Sequence, residues 1–354
     1  MMLVGIGGCT ALLLTGFGIK DSIMDIVDFQ FQEVTLYDLE IRFADGLEAE
    51  EQEQFRDEIG RYVDQITFAH QSSVELDHNG QTRDIILIAA DGDFENMMDF
   101  HSGKTSLSMP GTGEALLSIG MAEKLGIRTG DVVTLRNSDL ETMTVTVAGI
   151  YDNHVYNYII VTPDTMASQW GDAPEKQMAY LTVTDSQDPY LASTKVSAFE
   201  GVMSVTVCQD LALQVGSMLE AMNLVVVTIV ICAGLLAVTV LYNLTNINIT
   251  ERIREIATIK VLGFNAAESG AYVFKENLLL SVMGAAIGLI FGHWLLEFVM
   301  SQIKVDMVWM QARLLPISYF WSIALTLLSA VAVDFVLYFK LEKINMAEAL
   351  KSVE

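Results

Sequence analysis

The sequence predicts an α-helical multi-pass membrane protein with four transmembrane helices and a mixed α+β, two-lobed extracellular domain inserted between helices 1 and 2. Two observations predict it. First, 52% of the 354 residues are hydrophobic and only 18% charged, which is too apolar for two ordinary soluble domains. Second, residues 21–219 hold 34 acidic and 10 basic side chains, against 11 and 9 in residues 220–354. An acidic, water-facing block is thus spliced into an apolar chain. The net charge of -25 argues against nucleic acid as a partner, because phosphate binding needs a basic surface. It also argues against docking on anionic lipid headgroups through a basic face.

A spanning helix needs about 20 apolar residues, each adding about 1.5 Å across a core of about 30 Å. Four stretches qualify, giving helix 1 at 1–19, helix 2 at 220–245, helix 3 at 276–299 and helix 4 at 314–339. Between them lie the outer domain with its stalk (20–219), a cytoplasmic coupling loop (246–275) and a short extracellular loop (300–313), and a cytoplasmic tail follows (340–354). Lys/Arg bias sets the orientation. Arg252, Arg254, Lys260 and Lys275 fall between helices 2 and 3, and Lys340, Lys343 and Lys351 follow helix 4. Both termini are therefore expected in the cytoplasm.

Helix 1 fits less well, since Lys20 follows it and nothing basic precedes it. Ile6-Gly7-Gly8-Cys9 loosely resembles a lipoprotein processing box. That alternative is disfavoured because an apolar run, and not a polar tether, follows Cys9. The favoured expectation is that a cytoplasmic segment is missing upstream, as in a piece of a longer protein. Cys9 and Cys232 lie in apolar runs and Cys208 is alone in the acidic block, so no disulfide framework is expected there.

In the acidic block, residues 35–43 alternate as a strand and 46–62 read as a helix with its acids outward. Residues 73–89 read as a hairpin about Asn79-Gly80. Strands follow at 132–136, 143–150 and 158–161, then a strand, helix and strand at 177–183, 189–199 and 203–208. Flanking βα and βαβ elements around a β lobe predict two subdomains. No catalytic residue, metal site or cofactor is expected. His70, His78, His101 and His154 are scattered, with no HExxH, paired CxxC or nucleophile elbow, and residues 45–58 lack the spaced ligands of a calcium loop.

The most informative segment is 243–281, NLTNINITERIREIATIKVLGFNAAESGAYVFKENLLLS. Thr250 can cap a helix that Glu251 favours in its first turn, and Ile253, Ile256, Ala257 and Lys260 share a face. Gly263 is placed to end it. Asn265 and Glu268 have the spacing of a capping box, as do Asn345 and Glu348 in the tail. The pattern fits a surface-lying connector or a coupling helix seated in a soluble partner.

Gly284, Gly288 and Gly292 recur every four residues on helix 3, which suits close packing within the chain or across a dimer seam. Asp334 is about a turn and a half from Lys340, spaced for an interfacial ion pair, and His293 is expected to face the bundle.

These residues resemble the FtsX-like permeases of ABC transporters in ERIREIATIKVLGF, in the Glu opening a Gly-rich span, and in KINMAEALKSVE. EALLSIGMAEKLGIRTGDVVTL and VTVAGIYDNHVYNYIIVTP are similar to the extracellular domain of MacB-like members. The resemblance implies a four-span topology, a permease dimer (homodimer or two permease modules) and a separate dimeric cytosolic ATPase. It maps the family's ATPase-coupling motif onto Glu251, Arg252, Arg254, Glu255, Ile256, Lys260 and Gly263, and its span-three glutamate onto Glu276. The opening GIGGCTALLLTGFGIKDSI looks like the interior of large Gram-positive permeases with two such modules.

No GxxxxGK[ST] phosphate loop occurs, so ATP hydrolysis by that route needs a partner. Three readings follow: a permease subunit moving an amphiphile (lipid, peptide or antibiotic), a regulator activating a cell-wall hydrolase, and a receptor without an ATPase. The loop motif favours the first two, and the large insert favours the first.

Overall fold

The computed structural model describes residues 2–171, 173–184, 186–253, 255, 258, 266–303 and 308–342. They form two units: a helix unit of residues 1–24, 219–303 and 311–354, and a sheet unit of residues 25–218 with 304–310.

The helix unit draws on α1 (Met2–Asp28), α6 (Cys208–Glu251), α7 (Ala266–Gln302) and α8 (Pro316–Glu342). All four are long and apolar enough to cross a membrane. They are not equivalent. The apolar window of α1 is 56% buried, against 22%, 28% and 33% for α6, α7 and α8, so α1 is the axis against which the others pack.

Glycine makes that close approach possible. A Cβ at Gly16 would lie 2.7 Å from Val230 of α6, and one at Gly18 would lie 2.4 Å from Leu296 of α7. Hydroxyls then pin α1 to its neighbours. Thr10 and Thr326 meet at 3.1 Å, Thr15 donates to the Gly292 carbonyl, and Ser22 donates to the Arg313 carbonyl while accepting from the Arg313 amide.

The sheet unit contains β1 (Leu39–Phe43), α2 (Ala49–Ile59), β2 (Val63–His78), β3 (Gln81–Ala90), β4 (His101–Ser102), β5 (Thr105–Ser106), β6 (Glu114–Ser118) and α3 (Ile119–Leu125). It continues with β7 (Val132–Arg136), β8 (Thr142–Tyr151), β9 (Tyr158–Val161), α4 (Pro163–Trp170), β10 (Met178–Val183), α5 (Pro189–Val196) and β11 (Val202–Val207). Nine strands run in the order β11-β1-β10-β2-β3-β9-β6-β8-β7, and β7 pairs back onto β2. Six strands thereby close into a barrel, which removes the open edges of that part of the sheet.

The barrel is filled by Leu76, Leu87, Leu117, Leu135, Val147 and their neighbours, with α3 contributing Met121 and Leu125. Beyond the barrel, α2 and α5 cover one face of β11-β1-β10-β2, burying Phe55, Ile59, Ala192 and Val196 against Leu39, Ile41 and Phe43. The two expected subdomains therefore share one continuous sheet, which also carries a third buried cluster around Phe94, Phe100, Tyr151 and Tyr180, a correction that follows from β2. At 16 residues, this strand is long enough to serve both.

The hairpin turn falls at Asn79-Gly80 as the dipeptide predicts, with φ of 54° and 77°, because a two-residue turn of this hand needs positive φ at both positions. The first strand starts later than expected, at Leu39, since the chain leaves α1 through a π-helical turn, Phe29–Val34.

Candidate functional site

The described part of the coupling loop begins with a continuous helix. The Thr250 hydroxyl donates to the Asn246 carbonyl one turn back and lies inside α6, which corrects the expectation that Thr250 caps a new helix. Arg252 follows the last turn of α6, and its guanidinium donates to both carboxylate oxygens of Glu276 on α7, at 2.5 and 2.8 Å. Two parallel N–H···O bonds of this kind fix orientation as well as distance. Both partners are only partly covered, at 33% and 35% side-chain exposure, so solvent screens their attraction.

The family resemblance assigned Arg252 to the loop motif and Glu276 to the opening of the third span, and the fold brings the two side chains into contact. Glu251 and Glu255 are exposed. Arg254, Ile256, Lys260 and Gly263 lie outside the described residues, as do Asn265, Asn345 and the side chain of Glu268.

One step along α7, Asn277 is buried and donates to Thr245 of α6 at 3.1 Å and to Asp334 of α8 at 2.5 Å. One amide thus ties three helices together through groups that apolar surroundings would otherwise penalise. Asp334 is buried and accepts from Asn277; the side chain of Lys340, its expected ion-pair partner, lies outside the described ones. His293 meets a neighbouring helix on one side only. It is half exposed and 3.4 Å from Glu297 one turn on, and its Nδ1 also stands 3.4 Å from the Tyr319 hydroxyl of α8, so it lies at the edge of the bundle with one side toward solvent.

The glycine stripe of α7 meets α1 within the chain. A Cβ at Gly288 would stand 2.5 Å from the Gly7 carbonyl oxygen, one at Gly284 would stand 2.9 Å from Ile6, and one at Gly292 would stand 3.0 Å from Ala11.

Sequence reasoning missed a second polar node, in the sheet unit. Gln30 is buried and fully used. Its amide donates to Thr35 and to Asn153 Oδ1, and its oxygen accepts from the amides of His154 and Val155. Asn153 Nδ2 in turn donates to the carbonyls of Val155 and Tyr156.

On the same turn Val155 forms a β-bridge with Val308, and the Trp309 amide donates to the His154 carbonyl at 2.8 Å. The Trp309 indole N–H donates to Glu123 at 2.8 Å. A segment some 150 residues away thus adds to the turn at 153–156. The one available signal was Trp309, an aromatic donor in a short connection.

Elsewhere on the sheet, burial raises the carboxyl of Glu40 above its usual range, while Arg42 and a hydrogen bond from Tyr37 pull it back. Among the described residues no group of three or more His, Cys, Asp or Glu is placed to hold a metal ion.

The model for the MacB-like periplasmic core domain matches residues 1–199, and the model for the FtsX-like permease C-terminal region matches residues 227–346. The first alone spans more than half of the chain. The chain belongs to the MacB-like, FtsX-like permease family. An uncharacterized ABC transporter permease of Methanocaldococcus jannaschii is 24% identical over 179 residues, covering 49% of this chain and 45% of that protein's length. The match thus spans less than half of the curated relative.

Among solved structures, the periplasmic region of MacB from Actinobacillus actinomycetemcomitans aligns at 8% identity and TM-score 0.35, covering 54% of this chain and 97% of that one. The extracellular domain of the noncanonic ABC-type transporter YknZ from Gram-positive bacteria aligns at 17% identity and TM-score 0.34, covering 48% and 98%. The assignment rests on the family models and not on these superpositions. Within this permease, the FtsX-like match contains the Arg252–Glu276 pair, the Asn277 node and the glycine stripe, and the MacB-like match contains the Gln30–Asn153 node.

Proposed function

We propose that this chain is the non-catalytic membrane subunit of an ABC transporter, which uses ATP hydrolysis by a separate dimeric cytosolic ATPase to move its sheet domain and so export or extract an amphiphile. In this reading helices 1 to 4 span the cell membrane at 1–19, 220–245, 276–299 and 314–339. The sheet domain is the extracellular insert between helices 1 and 2, and both termini are cytoplasmic. A second copy or another permease module completes the membrane core.

The observation that carries the reading is the Arg252–Glu276 clamp. It ties the first turn of the loop to Glu276, about three turns into α7, so a push on residues 251–263 would reach the neighbouring Asn277 node, and through it α6 and α8. Such coupling needs contacts that differ between two global states. The clamp is partly exposed, which suits a contact that breaks and re-forms. Glu251, Arg254, Glu255, Ile256, Lys260 and Gly263 would then present the surface the ATPase engages. The alternative, a regulator that activates a cell-wall hydrolase, uses the same inner machinery and differs only in what the sheet domain binds.

The test is affinity capture of the tagged chain from native membranes in mild detergent, with and without Arg254→Ala plus Glu255→Ala. An ABC ATPase is expected with the wild type and is expected to be lost from the double variant. A folded wild-type chain that captures no ATPase overturns the reading. Capture of a hydrolase through the sheet domain alone would favour the regulator.

A further inference from the structure

We infer that the outer edge of β11 is a docking site for an extended, basic peptide, which adds to the sheet as a further strand. The closure of β7 onto β2 leaves β11 as the end strand of the nine-stranded sheet. On one side it pairs with β1 in antiparallel register, from Leu39↔Val207 to Arg42↔Ser204. On the other side no strand lies among the described residues.

The ladder shows which groups are on offer. The Cys208 amide donates to the Asp38 carbonyl at 2.8 Å. Bonded pairs recur at every second residue of an antiparallel ladder, so Thr206 and Ser204 also turn their amides and carbonyls toward β1. Val205 therefore presents both its N–H and its C=O to the outside, and Val207 presents its N–H. These outward groups have no partner among the backbone bonds beyond the ladder. A row of this kind is the template for strand addition.

Edges are commonly blunted by charge, proline or a bulge. Residues 202–207, VMSVTV, carry no charge and no proline. A bulge is present, because the register passes over Met203, which is 71% exposed. It sits at the start of the strand and leaves Ser204 to Val207 in regular pairing. Ser204 and Thr206 are exposed on one face, and Val205 is partly buried on the other, at the rim of the core beneath α2 and α5. A partner whose side chains alternate polar and apolar matches both faces.

Charge selects the occupant. Exposed acids flank the strand, Glu200 before it and Asp210 after it, within a block of 34 acidic and 10 basic side chains at residues 21–219. Arg42 on β1 and Lys195 on α5 are the cations of the adjoining elements. The net field attracts a basic peptide and opposes a second copy of the same acidic block. Val207 leads directly into α6 at Cys208, so an added strand bears on the residues that open that helix. The site goes beyond the transport reading and rests on it only for what a bound peptide is for. The binding test contains no ATPase, so its failure and the failure of that reading are separate results.

The full chain in phosphatidylcholine nanodiscs is titrated against fluorescein-labelled KTVTVK and followed by fluorescence anisotropy, with empty nanodiscs as the blank. KTVTVK is expected to bind, whereas ETVTVE and KTVTVK methylated at every backbone amide nitrogen are expected not to. Val205→Pro removes the outward N–H and spares the β1 ladder, since proline is tolerated at an edge whose N–H faces solvent. It should weaken binding about tenfold. Glu200→Lys plus Asp210→Asn changes only exposed side chains and should weaken it several-fold, which keeps the test decisive if Val205→Pro does not fold. Leu140→Asn, at an exposed turn with positive φ, should leave affinity unchanged. The proposal is overturned if the wild type does not bind KTVTVK, if the methylated or the acidic peptide binds as tightly, or if either edge variant, folded, keeps full affinity. Dimerisation of the wild type that Val205→Pro abolishes would assign the edge to a second copy and overturn it as well.

Discussion

The helix unit and the sheet unit use apolar residues in opposite ways. In the sheet unit the barrel's large apolar side chains are inside, with Leu76, Leu87, Leu117 and Leu135 fully buried, and most of the acids, Glu40 apart, lie toward the surface. In the helix unit Leu224, Leu235, Ile290, Trp294 and Phe335 are among many large side chains more than 55% exposed. The contacts that hold the helices together come from Gly7, Gly284, Gly288 and the hydroxyls of Thr10 and Ser22. Water drives the first arrangement through burial of apolar area. In lipid that drive is absent between helices, so close backbone approach and interhelical hydrogen bonds take its place. The exposed apolar shell of the helix unit is the surface a bilayer would cover.

The comparison is broken most severely at a glycine. Gly288→Leu would put a side chain 2.5 Å from the Gly7 carbonyl oxygen, a backbone atom that cannot rotate away. A cost of about 3 kcal/mol or more is expected, read as loss of monodisperse protein and a lower Tm in detergent. Gly8→Ala, where nothing lies within 4 Å of the new Cβ, should leave both unchanged. Equal behaviour of the two variants would show that α1 and α7 do not meet as described.

In the sheet unit the sensitive residue is polar. Gln30→Leu keeps the volume but removes partners from Thr35, Asn153 and the amides of His154 and Val155, so about 2–4 kcal/mol of stability should be lost. Chemical denaturation followed by far-UV circular dichroism measures it, and a loss under about 0.5 kcal/mol, the range of an ordinary surface change, would mean the node is not buried.

Glu40 gives a smaller effect that depends on pH. Its folded carboxyl is raised above its usual range, so the folded state favours the protonated form. This stabilisation is full below the unfolded pKa and is lost as pH rises through the folded one. Glu40→Gln should therefore raise the Tm at pH 8 and leave it nearly unchanged at pH 4. The opposite order of the two differences would contradict the burial.

The smallest expected effect is at the Arg252–Glu276 clamp. A double-mutant cycle with Arg252→Ala and Glu276→Gln should give a coupling of about 0.5–1 kcal/mol, as for a well-formed but solvent-screened pair. The same variants should alter ATPase capture far more than stability if the clamp serves coupling.

Much of this molecule was legible in its sequence. The uncharged runs, the Asn79-Gly80 hairpin and the strands of β7 to β9 follow from spacing and turn chemistry alone. Helix α4 was missed although Thr162 caps it, Pro163 opens it and Gly171 closes it in the left-handed region. β6 was missed because its five residues run straight into α3 with no turn residue between.

The sequence also determined which residues stand next to which along one helix face, and hence that Gly284, Gly288 and Gly292 form a stripe. Only the tertiary structure decided that the stripe meets α1, that Asn277 joins Thr245 to Asp334, and that Val308 and Trp309 reach the turn at 153–156. The physical reason is range. Periodicity and capping are set by neighbours within about four residues. A partner hundreds of residues away is chosen by shape and hydrogen-bond satisfaction, which exist only once the chain has folded.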